Sequence, residues 1–197
     1  MHPNSDSFQA GICEKMRKVL ITGGVRSGKS RFAIQLALSH PKPRVFLATA
    51  EPLDQEMHER IFHHQLERKN QFLTVEEPIN LSEKILQMES NPTVVLIDCL
   101  TIWLGNLFHH FDKSNSTIQN KINDFVRVVE NAERSIIIVT NEVGLGVISN
   151  QALGRQFVDI LGGLNQTLAQ ICDEVIIMSC GIPQVLKGSL QNAKVDG

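Results

Sequence analysis

Residues 23–30 read Gly-Gly-Val-Arg-Ser-Gly-Lys-Ser, so Gly23, Gly28, Lys29 and Ser30 fall at the spacing GxxxxGK[ST]. Each residue type has a task if the ligand is a polyphosphate. Glycines let successive backbone N–H groups turn into one concavity with no Cβ in the way. Lys29 brings a charge for the β- and γ-phosphates, and Ser30 brings a hydroxyl for Mg²⁺. Gly24, Val25, Arg26 and Ser27 complete the loop, with Arg26 either touching phosphate or facing water. Asp98 ends an apolar run and has the chemistry of a magnesium-shell carboxylate. A helix N-cap is the other role open to it, since Asp is also favoured there.

A third cluster lies further along, in Asp54-Gln-Glu-Met-His-Glu-Arg-Ile-Phe-His63-His64-Gln-Leu-Glu67-Arg. On a helix Glu56, Arg60, His63, His64 and Glu67 stand at spacings of three and four. Neither HExxH nor a cysteine partner is present, and adjacent histidines point about 100° apart on a helix, which argues against a shared metal. On the residues alone, a histidine in so polar a helix reads as solvent-exposed. Glu56 and Arg60 either orient such a histidine or form an ordinary ion pair. His64 either positions nucleotide or is solvated.

These residues need a scaffold. Apolar bursts at 18–22, 44–49, 93–98, 135–140 and 174–179 read as buried strands, with a shorter one at 72–75. Helical spacing occupies 30–39, 53–69, 81–88, 100–111, 118–130 and 152–171, with a polar loop at 112–117. Strands of near-continuous apolar sequence alternating with helices predict an α/β fold with a mostly parallel sheet covered on both faces. The phosphate loop then leaves a strand and opens a helix, as its chemistry demands. Asn141 and Glu142 close a strand at the edge where ligands of open α/β sheets gather. Gly144 and Gly146 suit a mobile or closely approaching loop. Gly162 and Gly163 interrupt a helix at about 1 kcal/mol each, which predicts close packing there.

Length and composition set bounds. The 197 residues suit one domain, 18–187, between an N-terminal extension at 1–17 and a tail at 188–197. A formal charge of -2 argues against a general nucleic-acid surface. No apolar run is long enough to span a membrane. Cys13, Cys99, Cys172 and Cys180 show no metal-ligand spacing, and the cysteine usage points to a reducing cytoplasm. On these residues alone, a simple kinase of some small alcohol and a non-catalytic nucleotide-binding module both stay open.

Taken together, the blocks are more specific. Thr22 through Ser30, Ala48-Thr49-Ala50, the histidine segment, Asp98-Cys99-Leu100-Thr101, Thr140-Asn141-Glu142-Val143-Gly144-Leu145-Gly146 and Gly162-Gly163-Leu164-Asn165-Gln166 occur in order across nearly the whole chain. In this it resembles the bifunctional adenosylcobinamide kinase/adenosylcobinamide-phosphate guanylyltransferases of cobalamin biosynthesis. The resemblance implies a three-layer P-loop domain of RecA-like type and two activities. One phosphorylates the aminopropanol hydroxyl of adenosylcobinamide with ATP or GTP; the other transfers GMP from GTP to that phosphate. It places the guanylyl-carrying role on His63. Nucleotide contacts fall on Gly23 to Ser30, Thr49, Ala50, Glu51, His64, Gln65, Leu66, Glu67, Glu76 and Asp98, with Mg²⁺ on Ser30 and Asp98. It also implies a trimer with shared sites and a corrinoid small-molecule substrate.

Overall fold

The computed structural model describes residues 16–51, 70–88, 92–111, 115–146 and 149–189. Seven strands form one sheet: β1 (Lys18–Gly23), β2 (Arg44–Ala48), β3 (Leu73–Glu76), β4 (Val94–Asp98), β5 (Ser135–Val139), β6 (Glu174–Ser179) and β7 (Ile182–Lys187). Their order across the sheet is β3-β2-β4-β5-β1-β6-β7. All pairings are parallel except β6 with β7. The helices are α1 (Lys29–Leu38), α2 (Leu81–Leu86), α3 (Leu100–His110), α4 (Asn115–Glu130) and α5 (Ala152–Ile171).

The central strands are apolar throughout because both faces are covered. Val94 to Ile97 and Ile136 to Ile138 are wholly inaccessible to water. Period-two alternation divides them between two cores. Val95, Ile97, Ile136 and Ile138 pack beneath α2, α3, α4 and α5, whereas Val94, Leu96 and Ile137 pack against Phe32, Ala33 and Leu36 of α1. Trp103 of α3 anchors the larger core. Its ring lies 5.2 Å from that of Phe125, and its indole N–H donates to the Ile79 carbonyl at 2.9 Å. An aromatic that finds a partner for its one polar atom adds large apolar burial at no desolvation penalty.

Several expectations shift. The strand expected at 72–75 is Leu73–Glu76, and α2 ends two residues early. Helix α4 begins at Asn115, inside the expected polar loop, because the first turn of a helix needs no apolar face and Ser116 is exposed. Strand β7 was not expected at all. It is an edge strand whose Ile182 and Leu186 face water, so no buried pattern announces it, and Pro183 is tolerated at such an edge. The close packing expected at Gly162 and Gly163 is absent: a Cβ at either would meet nothing within 4 Å. The helix expected at 53–69 lies outside the described residues.

Candidate active site

The loop between β1 and α1 closes on itself. The Ser27 N–H donates to the Gly24 carbonyl at 3.3 Å, and the first bond of α1 runs from the Phe32 N–H to the Gly28 carbonyl at 3.0 Å. The N–H groups of the first turn of α1 are thus available to an anion, with the helix dipole behind them. Gly23 has φ +140°, and a Cβ there would sit 2.3 Å from the Met178 carbonyl oxygen. Gly28 has φ +94° and packs against the Cα of Gly181. Both glycines are therefore required by geometry. Gly181, in the turn between β6 and β7, donates its N–H to the Ser27 carbonyl at 3.0 Å. That edge hairpin holds the outer side of the loop.

Lys29 is only 8% exposed and folds back over the loop, its Nζ donating to the Gly24 carbonyl at 2.5 Å and lying 3.4 Å from Ser27 Oγ. Burial pulls its pKa below the ordinary 10.5, opposed by Cys99 and Asp98. Burial also pushes the Cys99 thiol up to about 11, so at neutral pH Cys99 is uncharged and Asp98 is the nearby anion that counts. A polyphosphate would supply the countercharge that burial has taken from this ammonium.

Asp98 ends β4, and β5 stands between it and the loop-bearing β1. The N-cap of α3 is Cys99, not Asp98, so the capping alternative for Asp98 does not hold. Glu76, Ala48 and Asp98 are register partners across β3, β2 and β4, at their carboxyl ends. Thr49, Ala50 and Glu51 follow β2 directly. Thr49 is wired in: its N–H donates to the Asp98 carbonyl at 3.3 Å, its hydroxyl donates to the Cys99 carbonyl at 2.9 Å, and it accepts the Cys99 N–H at 2.8 Å. Glu51 meets His110 Nε2 at 2.9 Å.

Behind these loops lies a set of buried and half-buried polar contacts. Asn106 donates to the carbonyls of Thr49 (2.7 Å) and Pro78 (3.1 Å). Thr101 accepts the Asn141 N–H at 2.9 Å, Thr140 donates to Asn165 Oδ1 at 2.9 Å, and Asn165 donates to the Asn141 carbonyl at 3.2 Å. The Glu142 N–H donates to the Gly23 carbonyl at 3.1 Å, fastening the loop after β5 to the start of the phosphate loop. Thr101, Thr140 and Asn165 stood in sequence blocks without an assigned role. Asn106 was missed, although an asparagine inside the apolar run 100–111 was the available signal. The Cys180-Gly181 turn was missed because it belongs to the unanticipated hairpin.

Residues 26–31 line one wall of an open cleft of about 540 Å³, with Cys180 and Gly181 on the other. It is large enough for a small ligand, and its described lining residues carry three cationic side chains and no carboxylate. The loop, Asp98, Glu76 and Thr49 to Glu51 thus all lie at the carboxyl edge of the sheet. His63, His64, Gln65, Leu66 and Glu67 lie outside the described residues, between Glu51 and Asn70. Among the described residues no group of three or more His, Cys, Asp or Glu side chains is arranged to hold a metal.

A phosphate loop on one strand, an acidic residue two strands away and helices on both faces of a mostly parallel sheet define a P-loop nucleotide-binding protein. The profile of the family described as cobinamide kinase / cobinamide phosphate guanyltransferase matches residues 19–186. The bifunctional adenosylcobalamin biosynthesis protein CobP of Pseudomonas aeruginosa is 37% identical over 169 residues, covering 86% of this chain and 96% of the relative. The Escherichia coli protein CobU, bearing the same description, is 35% identical over 181 residues, 86% of this chain and 99% of that one. Among solved structures, the flagellar accessory protein FlaH of Methanocaldococcus jannaschii superposes with a TM-score of 0.48 at 16% identity, over 89% of this chain and 82% of that one. The chain belongs to the cobinamide kinase / cobinamide phosphate guanyltransferase family. It is a transferase of cobalamin biosynthesis with the two activities that the description names.

Proposed function

We propose that both activities use the cleft over the phosphate loop, and that His63 carries the nucleotide between them. In the first reaction the aminopropanol hydroxyl oxygen of adenosylcobinamide attacks the γ-phosphorus of ATP or GTP. The bond to the β–γ bridging oxygen breaks, its electron pair leaves with the diphosphate, and the hydroxyl proton is released. In the second, the imidazole of His63 attacks the α-phosphorus of GTP and expels pyrophosphate. An oxygen of the newly made cobinamide phosphate then attacks the same phosphorus and frees the imidazole, giving adenosylcobinamide-GDP. Splitting one displacement between two anions into two steps through a neutral nucleophile lowers each barrier.

The observation that carries this reading is the buried ammonium of Lys29, folded over the loop among cations and bonded to no carboxylate among the described residues. It would steady charge on the transferred phosphoryl groups. Gly23, Gly24, Val25, Arg26, Ser27 and Gly28 supply the cradle, and Thr49, Ala50, Glu51 and Glu76 the neighbouring wall. His64, Gln65, Leu66 and Glu67 would add further contacts to the nucleotide. The hydroxyl of Ser30 and the carboxylate of Asp98 are hard oxygen donors, and two such donors plus phosphate oxygens suit Mg²⁺. When bound, the ion would neutralise phosphate charge. We extend the reading to a cytoplasmic homotrimer, measurable as a threefold mass in light scattering; among the described residues no helix is long and apolar enough to cross a membrane.

GTP labelled at the α-phosphate should leave acid-labile label on the protein, as a phosphoramidate does. His63→Ala should abolish that label while phosphorylation of adenosylcobinamide continues. Acid-stable label, or label indifferent to the substitution, would end the histidine-carrier reading. Phosphorylation with no covalent nucleotide at any stage would leave a simple kinase.

A further inference from the structure

One cation of the cleft has no part in the account above. Arg31 is the third residue of α1, exposed, and makes no hydrogen bond or ion pair with any described residue. Its Nη2 lies 3.9 Å from where a Cβ on Gly181 would stand. The guanidinium therefore lies beside the β6–β7 turn, on the wall of the cleft. The Lys29 ammonium lies against the Gly24 carbonyl. A triphosphate in such a loop lies with its outer phosphates at the lysine and its α-phosphate toward the first turn of the helix. Arg31 belongs to that first turn and lines the cleft together with Cys180 and Gly181.

We infer that the Arg31 guanidinium contacts the α-phosphate of the bound nucleotide and is a catalytic residue of the guanylyl-transfer step in particular. The inference rests on the seating of the nucleotide in the loop proposed above. The two reactions make different demands on such a group. Phosphoryl transfer breaks the bond at the γ-phosphorus and leaves the α-phosphate a spectator, so an α-contact contributes only binding. Guanylyl transfer breaks the bond between the α-phosphorus and pyrophosphate as the incoming nucleophile bonds to that phosphorus. Charge then gathers on the α-phosphate oxygens, where a planar, fork-shaped donor is most effective. A side chain without an intramolecular partner gives up no existing hydrogen bond when a ligand recruits it.

Titration calorimetry on the full chain tests this with GMP, guanosine and inorganic pyrophosphate as probes. Arg31→Gln should weaken GMP binding about 10-fold or more, as expected for loss of a charged hydrogen bond. It should leave guanosine and pyrophosphate within about threefold and the unfolding midpoint unmoved, because the side chain has no intramolecular role. Arg31→Lys, which keeps the charge but loses the fork, should recover part of the GMP affinity. In turnover, guanylyl transfer should fall about 100-fold in kcat, while kcat for phosphorylation of adenosylcobinamide stays within about threefold. Unchanged GMP affinity in Arg31→Gln would overturn the inference. So would equal weakening of GMP and pyrophosphate, the mark of a general field, or equal losses of kcat in the two reactions. A wild-type chain that binds GMP through Arg31 but performs no guanylyl transfer would refute the functional reading while leaving the contact standing.

Discussion

Gly23→Ala is the most direct test of whether the loop geometry described here is required. The residue ends β1 and pairs with Met178 of β6. Its φ of +140° lies where an L side chain is strained, at about 1–3 kcal/mol. The new methyl would also meet the Met178 carbonyl oxygen at 2.3 Å and Ser27 Oγ at 3.0 Å. Ordinary contact requires that carbonyl to retreat by about 1 Å, and a backbone shift of that kind costs another ~1–3 kcal/mol. The two together predict roughly 2–6 kcal/mol of destabilisation. For a domain of this size each kcal/mol lowers Tm by about 2–4 °C, so the midpoint should fall by roughly 5–20 °C. Because the same shift moves Ser27, GTP affinity should fall at least about 10-fold. Circular dichroism melts and fluorescence titration with a labelled GTP analogue would measure both. A midpoint within about 2 °C of wild type, with unaltered affinity, would show that the carbonyl and the loop accommodate a side chain, and the reasoning would fail.

Further outcomes follow from other contacts. Asn106→Leu removes the donor to the buried Thr49 carbonyl and the half-buried Pro78 carbonyl, and should cost about 1–3 kcal/mol in chemical denaturation; a loss below ~0.5 kcal/mol would deny the asparagine its anchoring role. Burial holds the Lys29 ammonium below 10.5 in the folded chain, so in the alkaline window between its folded and unfolded values the unfolded chain binds more protons and ligand-free stability rises with pH. Bound triphosphate favours the ammonium, so GTP affinity should fall with pH in that window and calorimetry in buffers of different ionisation heat should show proton uptake, which Lys29→Met abolishes. Uptake that survives Lys29→Met would assign it elsewhere. Burial pushes Cys99 to about 11 and Cys172 to about 12, keeping both protonated at pH ~8, whereas Cys180 is exposed on the cleft wall. In a Cys13→Ser background a thiol reagent should modify one cysteine quickly, and GTP should slow it; rapid loss of two thiols, or no protection, would contradict the burial or the placement.

The sequence made the central sheet legible because its strands are buried on both faces. Runs such as Val94 to Ile97 have no polar alternative to compete with. The same logic hid β7, where Ile182 and Leu186 face water, and misplaced the start of α4, where polar residues form the first turn. Lys29 and the loop glycines were readable from spacing, since their task is set by the chain a few residues either side. Gly181 and Asn106 were not, because each acts through a partner supplied by the fold. Gly181 meets Ser27 from far along the chain, and Asn106 meets Thr49. Asp98 left two alternatives open in sequence, and only the helix start at Cys99 removed one.

Helix α3 grips the loop after β2 through Asn106 and the loop after β5 through Thr101. β4, which feeds it, runs between those two strands. The helix therefore works as a crossbar: sliding it along its axis drags both loops together and leaves their spacing intact. One of those loops leads into residues 52–69, which include His63; the other is fastened to the carbonyl of Gly23. The point from which the histidine segment departs is thus gauged against the mouth of the phosphate loop by a member that need touch no substrate. A chimaera grafting residues 52–69 from a relative should keep that gauge as long as Thr49, Thr101 and Asn106 stay in place.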